Sequence, residues 1–177
     1  MRTLDYEEGR QQMRYLTLGA AVCSVVLAAP VYAQAPDPQL MAPITKFLDA
    51  FNKGDSAGAA ATHAAEADLS IIDEVPPYHW QGAQAFQTWA ADLERDEKKR
   101  GVTDQKVTLR TATRVETDGA TAYVIVPAAY TFKEKGVAMR ETAQMTFMLK
   151  KGATGWLIHG WVWTGGKAQK AASVTQK

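Results

Sequence analysis

Cysteine and histidine are scarce in this chain of 177 residues, with Cys23 alone and His63, His79 and His159. One thiol cannot form an internal disulfide, and Cys23 lies inside an apolar stretch near the N-terminus. Thiolate nucleophiles and cysteine metal ligands are thereby excluded from everything beyond it. Val22 stands where lipoprotein attachment would need a small residue. Charge of one sign is also missing: 20 Lys and Arg face 19 Asp and Glu, for a net charge of +1. Such a balance sets up no field for nucleic acid or an anionic membrane. The basic run Lys98-Lys99-Arg100 follows Glu94, Asp96 and Glu97 and reads as a solvated helix end. There is no phosphate loop, no Gly-x-Ser-x-Gly serine and no dinucleotide fingerprint, so no cofactor is expected. Internal repeats are absent too.

No apolar run is long enough to span a bilayer. The longest, Tyr15 to Ala29, is uncharged and ends at Pro30, short of the roughly 20 residues a spanning helix needs. Arg14 precedes it, and Val31-Tyr32-Ala33 follows with small residues at the positions a signal peptidase reads. Residues 1–33 are therefore expected to be a signal peptide cleaved before Gln34, giving a periplasmic or secreted protein without stable membrane insertion. Asp5, Glu7 and Glu8 are unusual for such a leader, and Met13 offers an alternative start.

The remaining chain suits one domain, with hydrophobic residues at 46% overall. Residues 34–37 form a linker. Ile44, Phe47, Leu48 and Phe51 recur at helical spacing and stop at Gly54, and Asp55 can cap a second, short helix. Leu69 to Ile72 reads as a strand ending at Asp73, and Val75 to Trp80 as a loop because of its prolines. Phe86, Trp89, Ala90 and Leu93 mark the clearest helix, with Gly101 as its stop. The period then changes to two. Val107 to Val115 alternates as one strand, and Asp118-Gly119 signals a hairpin into Tyr123 to Phe132, where Pro127 implies a bulge or an edge. Further strands place Met139, Ala143, Met145, Phe147 and Leu149 on one face, then run from Trp156 to Thr164. Residues 167–177 are expected to be a disordered tail. This order predicts an α+β layer fold: three helices in the concave face of a strongly curved, mostly antiparallel sheet, leaving a cavity between them.

Ala50-Phe51-Asn52-Lys53-Gly54-Asp55, Ile71-Ile72-Asp73 leading into Pro76 to Gly82, Trp89, and Trp156-Leu157-Ile158 with Trp161 to Gly165 carry a resemblance. Over residues 38–166 the chain resembles the nuclear transport factor 2-like superfamily, with its SnoaL-like cyclases and ketosteroid isomerases. That resemblance implies a cone-shaped α+β barrel, an apolar pocket and a homodimer. It leaves the activity open, because one fold hosts many chemistries.

Asp73 is the leading catalytic candidate. It ends an apolar strand beside aromatic residues, where burial would raise its pKa toward general-base range; alternatively it only caps the Pro-Pro turn. Isomerase relatives use an acid near this place together with a tyrosine on the first helix. Here that helix carries Phe47 and Phe51, which argues against steroid isomerisation. Dehydratase-like relatives pair histidine with aspartate, so His63 or His159 is the expected partner of Asp73. His63 and Glu66 also have metal-ligand spacing, but no metal site is assigned. Tyr78, Trp80, Tyr123, Tyr130, Trp161 and Trp163 are the expected ligand-binding residues, since aromatic groups with polar tips suit a small apolar or aromatic ligand. His159, Trp161 and Trp163 are expected on one strand face. The sequence thus leaves three readings: an exported small-molecule-binding domain, a cofactor-free acid–base enzyme such as a dehydratase, cyclase or isomerase, and a dimeric module with an empty pocket.

Overall fold

The computed structural model describes residues 37–172, and the expected signal peptide and most of the linker lie outside the described residues. Helix α1 (Pro38–Asn52) starts on the Asp37 side chain, which accepts the Gln39 N–H at 2.9 Å. Leu40, Ile44, Phe47 and Leu48 form its buried face. Gly54 ends the turn at φ 70°, and Asp55 caps α2 (Ser56–Ala60) by accepting the Gly58 N–H. Helix α3 (Ala85–Arg100) buries Phe86 and Trp89 and stops at Gly101, which is left-handed.

Among the described residues, three helices pack on a curved, mostly antiparallel sheet, as the sequence predicts; that sheet has eight strands and is not closed. Strand β1 (Ser70–Ile72) pairs with β2 (His79–Gln81) and, in parallel, with β7 (Gly155–Gly165). From β7 the order runs antiparallel through β6 (Val137–Gly152) and β5 (Thr121–Glu134) to β3 (Val102–Leu109). The parallel contact is tight. A Cβ on Gly160 would lie 2.8 Å from the Ser70 carbonyl oxygen, so only glycine lets β1 close on β7 there.

Four expectations change. The Val107–Val115 run is two strands, β3 and β4 (Arg114–Asp118), both paired with β5. Pro127 faces the gap between them, where Arg110 N–H reaches its carbonyl, so a central strand tolerates a residue that cannot donate. The proline-rich loop returns as β2, because His79 to Gln81 find an open edge on β1. Gln169–Lys170 form β8 against Arg140 and Met139, so this part of the tail is ordered on the sheet. Asn52 both donates to and accepts from the Val107 backbone, at 2.8 and 2.7 Å, and so docks the end of α1 on β3.

The face containing Trp161 also departs from simple alternation. Met148 pairs with Gly160 but Leu149 with Ile158, which leaves His159 as the extra residue of a β-bulge. Ile158, Trp161 and Trp163 turn toward the helices, while His159 joins Asp68 and Lys150 on the other side. The shared face expected for His159, Trp161 and Trp163 is thereby corrected.

Candidate functional site

Aromatic residues from α1, α3, β5 and β7 wall a narrow cavity of about 90 Å³, among them Phe47, Trp89, Tyr130, Trp161 and Trp163. By this measure a water needs about 10–15 Å³, so the space would hold roughly six to nine. Asp73, Glu74 and Glu141 enter it from the end of β1 and from β6.

Two indoles hold these acids. Trp89 Nε1–H donates to Asp73 Oδ2 at 2.7 Å, and the Glu74 backbone N–H donates to Asp73 Oδ1 at 2.8 Å. Trp163 Nε1–H is shared between Glu141 Oε1 at 2.8 Å and Glu74 Oε1 at 2.9 Å. Burial raises the Asp73 pKa, and the two donated hydrogen bonds only partly oppose that shift. Glu141 is 4% exposed. Burial, followed by its hydrogen bond with Glu74, pushes its pKa up to about 8. Burial thus favours the protonated form of Glu141, which shares its Trp163 donor with a second acid, Glu74. Gly165 makes room for the pair, since a Cβ there would overlap the Glu141 carboxyl and the Trp163 indole nitrogen.

The histidines fall elsewhere. Residues 62–64 bridge to Ile158 at the bulge: Ile158 N–H donates to the Thr62 carbonyl and Ala64 N–H to that of Ile158. His63 is thereby turned into the core, with Phe86 and Phe47 at 4.5 and 4.8 Å between ring centres. Its Nδ1 meets the Ala59 carbonyl at 3.0 Å, and its Nε2 accepts the Trp161 indole N–H at 3.1 Å. Burial lowers its pKa to about 4, so it is a neutral packing residue with both ring nitrogens engaged. Neither His63 nor His159 lines the cavity with Asp73, which corrects the expected dyad. His159 pairs with Asp68 at 3.0 Å. Glu66, Asp68 and His159 each place one ligand atom within 4.8 Å of the others, but Lys150 already bonds Glu66 at 2.7 Å.

Of the aromatic residues expected at the ligand, Tyr130, Trp161 and Trp163 line the cavity. Trp80 is buried behind it, with its N–H on Asp92, and Tyr78 and Tyr123 are exposed on the surface. Glu74, Asp96, Glu97 and Arg100 were not anticipated. The one usable signal was Glu141, a charge interrupting an apolar strand face.

The model of the family described as SnoaL-like domain matches residues 40–162. The chain belongs to that family. No curated protein matches this SnoaL-like chain at a significant level. A ketosteroid isomerase-like protein from Erwinia carotovora atroseptica is 23% identical at TM-score 0.56, covering 72% of this chain and 94% of its own. A nuclear transport factor 2-like protein from Salmonella enterica is 16% identical at TM-score 0.61, covering 78% and 95%. A type 2 hexachlorocyclohexane dehydrochlorinase is 12% identical at TM-score 0.60, covering 77% and 91%. At these identities the structures share the fold of the SnoaL-like domain.

Proposed function

We propose that this protein is an exported small-molecule-binding domain whose cavity takes a predominantly apolar ligand. The observation that carries this reading is the aromatic wall of Phe47, Trp89, Tyr130, Trp161 and Trp163 closing on a few convergent acids. Native mass spectrometry of protein purified from its source tests it, with a retained small molecule as the expected result and consistently empty protein as the contrary one. Export rests on the segment before Gln34, and N-terminal sequencing of the exported protein should begin at or near Gln34. Ile72, Tyr123 and Met148, 42, 38 and 44% exposed, support a homodimer through the outer sheet face. Light scattering should then give twice the mature mass.

The acids favour a second reading, cofactor-free acid–base catalysis, with Glu141 in the place expected for histidine. Glu141, whose protonated form burial favours, can donate a hydrogen bond to a ligand carbonyl. Asp73, oriented by Trp89, can then take a proton from the carbon next to that carbonyl. The C–H bond breaks, its electrons form the enol or enolate held by Glu141, and the proton rests on Asp73 for return to the same or another carbon. 2-Tetralone, a neutral bicyclic ketone, tests this step by deuterium exchange at its α-carbons in D2O. The protein should accelerate exchange over buffer, and Asp73→Asn should lower that acceleration by roughly 100- to 10,000-fold. Asn offers one acceptor to the two donors that Asp73 takes, Trp89 Nε1–H and the Glu74 N–H, so relief of the burial that raises the Asp73 pKa is offset by one lost hydrogen bond. The variant should stay within about 1.5 kcal/mol of wild type at pH 7. A destabilised variant with unchanged exchange would make Asp73 a turn cap.

A further inference from the structure

The Trp163 indole draws two carboxyl groups together. Its Nε1–H lies 2.8 Å from Glu141 Oε1 and 2.9 Å from Glu74 Oε1, so both oxygens converge on one donor. The two carboxyls also hydrogen-bond to each other. A carboxylate only accepts, so that bond exists only while one of the two carries a proton. Two ionised carboxyls so close repel, and such a pair gives up its protons in separate steps.

The partners differ in their surroundings. Glu141 lies within β6 and is buried, whereas Glu74 is exposed in the turn after β1. That turn is pinned by Asp73 N–H on the Tyr78 carbonyl at 3.1 Å and by Tyr78 N–H on the Val75 carbonyl at 2.7 Å. Water can therefore solvate a charge on Glu74 but not one on Glu141. The other titratable groups lining the cavity are Asp73 beside β1, Asp96, Glu97 and Arg100 on α3, and Tyr130 on β5; the lining residues of α1, β3 and β7 include none. Arg100 is already engaged by Asp96 and Glu134, each at 3.3 Å. Among the described lining residues no free cation remains to stabilise a second charge beside Glu74.

We infer that Glu74 and Glu141 form an acid pair holding a single proton, which the charge on exposed Glu74 keeps on buried Glu141. This rests on the acid–base reading of the cavity and adds the residue that sets the state of its acid. Glu74 acts through Glu141 and is a positioning residue. Trp163 fixes the pair, and Glu74 ties the buried acid to solvent.

Glu74→Gln tests the pair. The new amide oxygen can still accept the Trp163 N–H, and the backbone N–H of residue 74 still reaches Asp73, so a merely structural role survives the change. Carboxyl carbon-13 NMR reads the titration of Glu141 directly, assigned by the resonance that Glu141→Gln removes. Its midpoint should lie about one to three pH units lower in Glu74→Gln than in wild type, the effect of removing a neighbouring like charge. The alkaline limb of 2-tetralone exchange should move down with it. An unmoved Glu141 midpoint would overturn the pair, whether or not the wild type exchanges 2-tetralone. A lowered midpoint with no exchange by the wild type would sink the acid–base reading and leave the pair standing. A lowered midpoint with an unmoved limb would overturn the positioning role of Glu74.

Discussion

Two regions of the molecule bury an ionisable side chain against a tryptophan N–H, and they use it in opposite ways. Around His63, Trp161 donates to Nε2, the Ala59 carbonyl takes Nδ1, and Phe47 and Phe86 pack on the ring. Nothing on that imidazole is left for a ligand. Around Asp73 and Glu141, Trp89 and Trp163 donate in the same way, but the carboxyl groups keep unused lone pairs beside a void. The lesson concerns leftover hydrogen-bonding capacity. A buried titratable group that is fully satisfied is structural, and one with capacity facing a cavity is where chemistry can occur.

The sharpest way to break this comparison is to remove His63. His63→Leu leaves the buried Trp161 N–H and the Ala59 carbonyl without their partners and should destabilise the fold by about 3 kcal/mol in chemical denaturation. Deuterium exchange on 2-tetralone by the folded fraction should remain; its loss would mean that His63 belongs to the site after all. Gly165→Ala presses on the opposite region. The added methyl must displace Glu141 or Trp163, at an expected cost of about 1–3 kcal/mol. It should also weaken 2-tetralone exchange, whereas an unaffected site would show that Glu141 needs no such fit.

The two regions should also respond to pH in opposite directions. His63 has its folded pKa lowered from 6.5 to about 4, so its contribution to stability is complete above pH 6.5 and is lost as pH falls toward 4. Glu141 has its pKa raised from 4.5 to about 8. Its contribution is complete below pH 4.5 and is lost as pH rises through 8. Denaturation curves at pH 5, 7 and 9 should show that Glu141→Gln removes the loss on the alkaline side. At pH 9 the variant should exceed wild type by at least about 1.4 kcal/mol, the worth of one pKa unit. An unchanged alkaline slope would deny that Glu141 is the neutral acid. The smallest effect belongs to the surface cluster of Glu66, Asp68, His159 and Lys150. Lys150→Met should change stability by less than about 0.5 kcal/mol, because its partner Glu66 is solvent-exposed.

Much of this architecture could be read from local pattern. Phe47, Leu48, Phe86 and Trp89 fall on buried helix faces as their spacing demands, and Asp55, Gly54 and Gly101 start or stop helices where cap chemistry puts them. The strand pairings hidden from that pattern are those settled by an available edge. His79–Gln81 became β2 because β1 offered backbone groups, and Gln169–Lys170 joined β6 for the same reason.

The site was legible only in fragments. Asp73, Tyr130, Trp161 and Trp163 could be named from the sequence because strand ends and aromatic residues are visible there. Glu97 and Arg100 sit in a run that reads as a solvated helix end, and nothing local distinguishes the carboxylate that turns into the cavity from Glu94, which pairs with Lys98 in solvent. Sequence by itself determined the helix faces, the caps, the change of period and the supply of acids and indoles. Tertiary structure alone decided which acid meets which indole. A single bulge at His159 and a backbone bridge at His63 reversed the roles the sequence assigned to both, because side-chain direction in a strand follows register, and register is a property of the pair.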